Sequence, residues 1–238
     1  MGISYDKMAY ELRYVKVYQA GARFWADPMP TEELVEFVRE MNFPKGINVI
    51  EFGCGEGRDA IFLAKQGFNV TAIDVAPSAI NRAREWAAQE SVEVNFEAGD
   101  VVDLKHIPSS TYDLAVNVGC LQMIIDEEAR SRHLAEALRV LKPCGLYFSC
   151  NIGGDNPVKL EELYEAKPKP GDLIPRKIKV NEEEKEITLP IIAAWPKSGE
   201  QYKEEFKAAG YNILRLYTRM ARALGNCWII IAQKPGAE

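Results

Sequence analysis

The chain has 238 residues, of which 47% are hydrophobic and 27% charged, a composition that can bury the core of one large domain. Its formal net charge of −6 at pH 7 argues against a broad nucleic-acid interface, which needs a basic face. No apolar run is long enough to span a membrane, no apolar signal core opens the chain, and the five cysteines lack CxxC spacing, so we expect a cytoplasmic protein.

Residues 1–45 predict a helical N-terminal arm. Tyr10, Tyr14 and Tyr18 are four positions apart and would line one stripe of a helix. Such a stripe is more often packing than chemistry, but an aromatic arm could also close over a pocket. Tyr18 and Trp25 are therefore candidates for the wall of that pocket.

Residues 46–152 alternate between strands and helices, which is typical of a doubly wound, mainly parallel sheet. An apolar run from Ile47 to Phe52 predicts the first strand, and three alternate glycines and a helix follow it. The other expected elements are strands at 69–74, 92–97, 112–118 and 144–150 and helices at 31–41, 77–90 and 127–141.

The pattern changes after the fifth strand. Residues 153–197 are dense in charge and predict a hairpin, either an exposed excursion or a lid that faces the substrate. Residues 198–238 predict a closing helix and two strands. The connection between these strands is short, which indicates an antiparallel pair. We therefore expect one α/β domain with a Rossmann-like, seven-stranded sheet, an antiparallel final strand, and a lid or hairpin insertion after strand five.

The stretch Gly53-Cys54-Gly55-Glu56-Gly57-Arg58 joins the first strand to its helix, as in backbone cradles for nucleotide-like ligands. A dinucleotide fingerprint needs a small residue where Arg58 stands. Glu51 would be awkward beside a pyrophosphate but suits an ammonium group. An NAD-dependent oxidoreductase is thus the weaker interpretation. Arg58 could bind a ligand carboxylate or pair with Glu56, and both options stay open.

The same stretch resembles the class I S-adenosylmethionine-dependent methyltransferases, above all the small-molecule branch that includes tellurite-resistance and thiol methyltransferases. The resemblance covers residues 47–151 and rests on four motifs in register: Glu51 to Gly57, Asp74 ending strand two, Gly99-Asp100 after strand three, and Leu141 to Gly145 before strand five. It implies S-adenosyl-L-methionine as methyl donor, S-adenosyl-L-homocysteine as product, and a small-molecule acceptor.

The resemblance also implies residues that hold the methionine part of the donor. Glu51 would lie near its amino group. Gly53, Cys54 and Gly55 would approach it through their backbone N–H groups.

Other implied contacts follow strands two, three and four. Asp74 would accept hydrogen bonds from both ribose hydroxyls, as an acidic residue does in nucleotide folds. Val75 would lie against the adenine face, and Asp100 with Val101 would meet its edge. Asn117 to Cys120, at the end of strand four, would line the floor beside the sulfonium.

The sequence does not identify the methyl acceptor. Methyl transfer from a sulfonium is an in-line displacement that depends on proximity and orientation, and a general base is needed only for a protonated acceptor, so no catalytic residue is assigned. Tyr18, Trp25, Gln122 and Trp195 are candidates for the acceptor pocket. A thiol, amine, hydroxyl or metalloid acceptor remains open, and a non-catalytic S-adenosylmethionine-binding module is an alternative to an enzyme.

Two residue types need separate predictions. His106 and His133 are both expected at the surface, His133 more clearly. Cys54, Cys120 and Cys150 fall at the carboxyl ends of strands one, four and five; a thiol cluster there would suit a metalloid, but cysteines more often fill tight backbone sites. No metal site is predicted.

Overall fold

A computed structural model describes residues 7–25, 27–155, 169–181, 183–222 and 224–237. Residues 156–168 of the expected insertion lie outside the described residues. The helices in these ranges are α1 (Lys7–Gln19), α2 (Glu32–Met41), α3 (Arg58–Lys65), α4 (Pro77–Gln89), α5 (Glu127–Val140) and α6 (Gly199–Ala208). The strands are β1 (Asn48–Phe52), β2 (Asn69–Asp74), β3 (Asn95–Ala98), β4 (Tyr112–Val118), β5 (Leu141–Ile152), β6 (Leu173–Val180), β7 (Glu183–Pro190), β8 (Asn212–Ala221) and β9 (Gly225–Gln233).

The main sheet of the described chain has seven strands in the order β3-β2-β1-β4-β5-β9-β8. Strand β9 alone runs in the opposite direction to the other six, and it is antiparallel to both of its neighbours, β5 and β8. The expected Rossmann-like sheet is therefore confirmed, including the antiparallel final strand. Strand order reverses direction between β1 and β4, and in open α/β sheets ligands bind outside the carboxyl ends of the strands at such a point.

Two layers of helices cover the sheet. Helices α2, α3 and α4 pack on one face, and α5 and α6 pack on the other. Successive side chains of β1 point to opposite faces of the sheet. Val49 packs in the core beneath α2, α3 and α4, and Ile50 packs in the core beneath α5 and α6. None of the helices in the described ranges is long and apolar enough to cross a membrane.

Most predicted elements occur with shifted ends. Strand β3 begins only at Asn95, because the N–H of Val92 is still donated to the carbonyl of Ala87 at the end of α4. Thr31 precedes α2 as a cap should, but its side chain makes no cap hydrogen bond to the helix. The Thr31 hydroxyl instead donates to Asp59 Oδ2 at 2.8 Å. Thr31 thus ties α2 to α3.

The hairpin formed by β6 and β7 is a separate two-stranded sheet that packs on α1. Arg13 Nη1 donates to the carbonyl oxygen of Pro190 at 2.5 Å, and Lys16 Nζ donates to that of Thr188 at 3.1 Å. The N-terminal arm and the hairpin are therefore joined, although more than half of the chain separates them in sequence.

Candidate functional site

A cavity of about 360 Å³ lies at the carboxyl edge of the sheet, within the range of small-molecule sites. We call its sheet side the floor, made by residues 51–59, 74–75, 101 and 118–124. We call the opposite side the roof, made by residues 10–25 of the arm and by Arg176 and Ile192 from the hairpin and the segment after it. The predicted site residues that line the cavity are Trp25, Glu51, Gly53, Cys54, Asp74, Val75, Val101, Val118, Gly119, Cys120 and Gln122.

The glycine turn is shaped by its protein neighbours. Gly53 and Gly55 have φ values of +70° and +53°, in the left-handed region that favours glycine. A Cβ on Gly53 would lie 2.6 Å from the Cβ of Cys120, and one on Gly55 would lie 2.8 Å from the hydroxyl of Tyr14. These two glycines therefore let the strand-four loop and the arm pack directly on the turn.

The backbone N–H groups of this turn are used within the protein. Those of Gly53 and Cys54 donate to the carbonyl of Ile73 at 2.8 and 3.1 Å, and that of Gly55 donates to Asp74 Oδ2 at 2.8 Å. Polar contact with a ligand consequently falls to the side chains around the turn.

Asp74 joins the turn to the end of β2. Its Oδ1 accepts the N–H of Ala76 at 2.9 Å while its Oδ2 holds Gly55, and the residue is 7% exposed at the cavity wall. Burial raises the pKa of Asp74, and the two N–H donors oppose that shift. A carboxylate oxygen that already accepts one N–H can accept another hydrogen bond, so Asp74 fits a ligand hydroxyl.

Glu51 is the least satisfied polar group of the floor. It is 3% exposed, and its Oε2 has no hydrogen-bond partner among the described residues. Burial, with Asp59 nearby, raises the pKa of Glu51 well above its usual range. A buried carboxyl oxygen without a partner is costly, and an ammonium group in the cavity would satisfy it. The residues present therefore fit a ligand with an amino group.

The charged residues that follow Glu51 attach other elements to the floor. Glu56 accepts the N–H groups of Phe24 and Trp25 at 3.0 and 3.1 Å. Arg58 donates from Nη2 to the Thr31 hydroxyl at 2.9 Å and lies 3.6 Å from a carboxylate oxygen of Asp59. Of the two options for Arg58, pairing with Glu56 is therefore not observed, and Arg58 lines the cavity.

Asn117 supports the floor from below. It is fully buried, and its Oδ1 accepts the N–H groups of Cys120 and Leu121 at 3.1 and 3.3 Å. Its Nδ2 donates to the hydroxyl of Tyr147 at 3.1 Å. The cavity wall itself is formed by the residues that Asn117 positions, Gly119 and Cys120 among them.

The prediction that His133 lies at the surface is wrong. The side chain is fully buried, with Nδ1 3.0 Å from the carbonyl of Val101 and Nε2 3.1 Å from the hydroxyl of Tyr147. A carbonyl only accepts, so Nδ1 carries the proton and Nε2 accepts from Tyr147. Burial lowers the pKa of His133 to about 4. A chain of hydrogen bonds thus runs from Val101 through His133, Tyr147 and Asn117 to the Cys120 loop.

The signal for His133 was present in the sequence. Ala129, His133 and Ala137 are four positions apart, and all three are buried on one face of α5, so the residue belongs to the apolar stripe. His106, in contrast, is exposed and lies 3.0 Å from a carboxylate oxygen of Glu97.

The remaining predicted site residues lie beside the cavity rather than in its lining. Asp100 pairs with Lys7 of the arm, 2.5 Å from its Nζ. Tyr18 packs on Tyr14, with ring centroids 6.0 Å apart. Trp195 donates its backbone N–H to the carbonyl of Gln122 at 2.6 Å, which holds the Gln122 segment in place.

Four of the five cysteines divide between site and core, and the fifth, Cys144, is exposed. All five are free thiols; Cys54 and Cys120 line the cavity, whereas Cys150 and Cys227 are fully buried in the sheet core. Burial raises the pKa of both cavity thiols. They therefore remain protonated at neutral pH and are poor nucleophiles.

Several lining residues were not predicted. They come from the roof and from the segment just after Cys120: Tyr10, Arg13, Tyr14, Phe24, Met123, Ile124, Arg176 and Ile192. The tyrosine spacing and the expected lid were the available signals, but neither shows which side chains would face inward.

Comparison with known proteins agrees with this geometry. Residues 49–145 match a family model described as a methyltransferase domain. The chain is 31% identical over 127 residues to a ubiquinone biosynthesis O-methyltransferase of Rickettsia canadensis (strain McKiel), covering 53% of this chain and 52% of that protein. It is 30% identical over 155 residues to the S-adenosyl-L-methionine-dependent Diels-Alderase iccD of Talaromyces variabilis, covering 60% of this chain and 51% of that protein. The chain spans about half the length of these curated relatives.

A solved structure from work on the conversion of a disulfide bond into a thioacetal group during echinomycin biosynthesis shares the fold. It superimposes with a TM-score of 0.71 at 19% identity and covers 98% of this chain and 94% of the other. The matched core, the strand order and the relatives agree. Residues 49–145 therefore form a methyltransferase domain within a chain that has the sheet topology of its solved neighbour.

Proposed function

We propose that this protein is an enzyme that transfers a methyl group from S-adenosyl-L-methionine to a small-molecule acceptor. The observation that carries the proposal is the position of two buried carboxyl groups, Glu51 and Asp74, on either side of the glycine turn at the cavity wall. One suits an amino group and the other a pair of hydroxyls, which the donor carries at its methionine and ribose parts.

Six further residues belong to the proposed donor site. Gly53 and Cys54 shape the wall beside the methionine part, Val75 and Val101 supply apolar contacts for adenine, and Asp100 lies beyond the adenine edge. Asn117 acts indirectly, by holding the Cys120 loop at the floor.

The remaining donor-site assignment, Gly55, also acts through shape. Its N–H is held by Asp74, so it orients that carboxylate instead of contacting the donor.

When bound, S-adenosylmethionine supplies a methyl group activated by a sulfonium. The protein's part is to bind, orient and exclude water. Tyr14, Phe24 and Trp25 of the roof place aromatic surface over the floor, where a displaced solvent shell would strengthen each polar contact. Correct orientation supplies up to about 7–11 kcal/mol in the best intramolecular reactions. This is the main source of rate that we assign to the chain.

No general base is assigned. Among the described residues that line the cavity there is no histidine, the carboxyl groups of Glu51 and Asp74 are assigned to the donor, and burial raises the pKa of the Cys54 and Cys120 thiols, which keeps them protonated. Of the proposed acceptor-pocket residues, Trp25 and Gln122 line the cavity, while Tyr18 and Trp195 support its walls.

The proposal is tested first by binding. Isothermal titration should show S-adenosylmethionine binding to the wild type and at least about tenfold weaker binding to Asp74→Ala, the loss expected for charge-assisted hydrogen bonds. NAD(H) should give no saturable heat. Saturable NAD(H) binding with no response to S-adenosylmethionine would contradict the proposal and favour an oxidoreductase.

A second candidate, binding of S-adenosylmethionine without methyl transfer, has a specific reason: one relative is named a Diels-Alderase that depends on this cofactor. Release of S-adenosylhomocysteine distinguishes the two. A broad panel of thiol, amine, hydroxyl and metalloid acceptors should include at least one that yields this product. Binding without any turnover would favour the second candidate.

We also propose a cytoplasmic location and no nucleic-acid or membrane partner. The support is the set of five free cysteines and the net charge of −6, which suit a reducing compartment and a small-molecule ligand.

A further inference from the structure

Charge is distributed unevenly around the cavity. Its acidic lining residues, Glu51, Asp59 and Asp74, all belong to the floor, where the one cation among the described lining residues, Arg58, lies 3.6 Å from Asp59. The other two lining cations, Arg13 and Arg176, belong to the roof. The described roof residues that line the cavity include no carboxylate. The roof is therefore the basic wall of the cavity.

Both roof arginines converge on one aromatic ring. The guanidinium carbon of Arg13 lies 5.6 Å from the ring centroid of Phe24, and that of Arg176 lies 5.7 Å from it, distances at which cations and rings attract each other. Phe24 in turn packs on Tyr14 at 4.5 Å and on Trp25 at 5.4 Å between centroids. The two cations thus border an aromatic surface that faces the floor.

The two arginines differ in exposure to solvent. Arg13 is 7% exposed and is fixed by its hydrogen bond to Pro190. Arg176 stands on β6, where it is exposed to solvent. One cation is therefore buried and held in the wall, and the other lines the cavity from a solvent-exposed position. A guanidinium group presents parallel N–H donors that match the oxygens of a carboxylate or phosphate.

On the basis of the proposed methyltransferase function, we infer that the acceptor is a flat, apolar molecule carrying an oxyanion, which Arg13 and Arg176 bind at the roof. The rings of Tyr14, Phe24 and Trp25 bind its body. Anchoring the anion at the roof directs the other end of the molecule to the floor, where the donor residues lie. The acceptor is thereby restricted from any small molecule to an organic acid or phosphate.

Binding of defined probes to the full chain saturated with S-adenosylhomocysteine tests this inference. The probes are cinnamate and its uncharged methyl ester, with phenyl phosphate to compare the two oxyanions, each measured by isothermal titration. Cinnamate should bind at least about tenfold more tightly than the ester, as expected for a charge-assisted contact. Tighter binding of phenyl phosphate than of cinnamate would assign the site to phosphates.

Arg176→Gln should reduce the acid-to-ester preference to less than about threefold, without changing the affinity for S-adenosylhomocysteine. Lys177→Gln is the matched control, because it removes the same charge from the next residue of β6, whose Nζ lies 3.1 Å from Glu184 on the exposed hairpin and not in the cavity lining. It should retain the preference.

Three results would overturn the inference: equal affinity for acid and ester, no saturable binding of either oxyanion up to about 10 mM, or the same loss in Lys177→Gln as in Arg176→Gln. The first titration, with S-adenosylhomocysteine alone, separates the two proposals. Its failure would reject the methyltransferase function, whereas its success without an acid preference would reject only the acceptor class.

Discussion

The floor and the roof of the cavity are built in different ways. The floor consists of strand ends whose polar groups are held by short-range hydrogen bonds, such as those of Asp74 and Asn117. The roof consists of two remote segments, attached by contacts such as Glu56 to Phe24 and Arg13 to Pro190. The floor is therefore part of the core of the domain, whereas the roof is a separate layer that packs on this core. Substitutions in each part should therefore have different consequences.

The largest effect is expected in the buried support of the floor. His133→Leu removes the partners of the Val101 carbonyl and the Tyr147 hydroxyl, and each unsatisfied group costs about 1–3 kcal/mol. We expect the free energy of unfolding to fall by about 4 kcal/mol in total, measured by urea denaturation. His106→Leu, at an exposed position, should change it by less than about 0.5 kcal/mol. Equal effects of the two variants would contradict a structural role for His133.

The same residue predicts a pH dependence. Burial moves the pKa of His133 from 6.5 to about 4, so the unfolded chain binds a proton first as the pH falls. Its contribution is therefore complete above pH 6.5 and is lost as the pH falls toward 4, by about 2 kcal/mol at pH 5. The stability difference between wild type and His133→Leu should shrink by this amount from pH 7 to pH 5. Parallel pH profiles would show that His133 titrates normally.

A third test concerns the glycine turn of the floor. Gly53→Ala places a Cβ 2.6 Å from that of Cys120, whereas Gly46 has a similar φ of +80° with nothing within 4 Å of a Cβ. Both variants share the cost of the left-handed backbone, but only Gly53→Ala adds overpacking of about 1–3 kcal/mol. We expect Gly53→Ala to lose about 2 kcal/mol more than Gly46→Ala in urea denaturation. A difference near zero would mean that the Cys120 loop moves freely.

The smallest global effect is expected for the roof attachment. Glu56→Gln weakens the acceptor of the Phe24 and Trp25 N–H groups, so their amide hydrogen exchange should accelerate by about tenfold or more. The free energy of unfolding should change by less than about 1 kcal/mol, because the arm opens locally. Glu85→Gln, in an exposed pair with Arg82, serves as the control. If Glu56→Gln instead lowered the free energy of unfolding as much as it accelerated exchange of these amides, the arm would unfold only together with the whole chain. That result would contradict the difference between floor and roof.

Much of the fold was predictable because its signals are local. The alternation of apolar strands with amphipathic helices predicted the parallel sheet, and the short link before β9 predicted the antiparallel pair. The residues of the glycine turn and Asp74 lie at strand ends, so their convergence on one edge followed from the topology. Most of the predicted site residues line the cavity.

The features of the site that were not predicted depend on contacts between segments that are distant in sequence. Arg13 and Arg176 meet at Phe24 only because α1 packs on the hairpin, and no periodicity shows that pairing. His133 and Asn117 act through Tyr147 of a different strand. Their hydrogen-bond network could not be derived from the spacing of residues along the chain.

The attachment of the arm to the hairpin has a consequence for how the family could diversify. Arg13 and Pro190 are 177 residues apart in sequence, and both lie outside the matched segment 49–145. Mutation, insertion or exchange of either segment can remodel the cavity over the sheet while the proposed donor-binding residues stay unchanged. Proteins that share this sheet can thus acquire new acceptors through changes in the N-terminal arm and the hairpin, provided that the two segments change together and keep their contact.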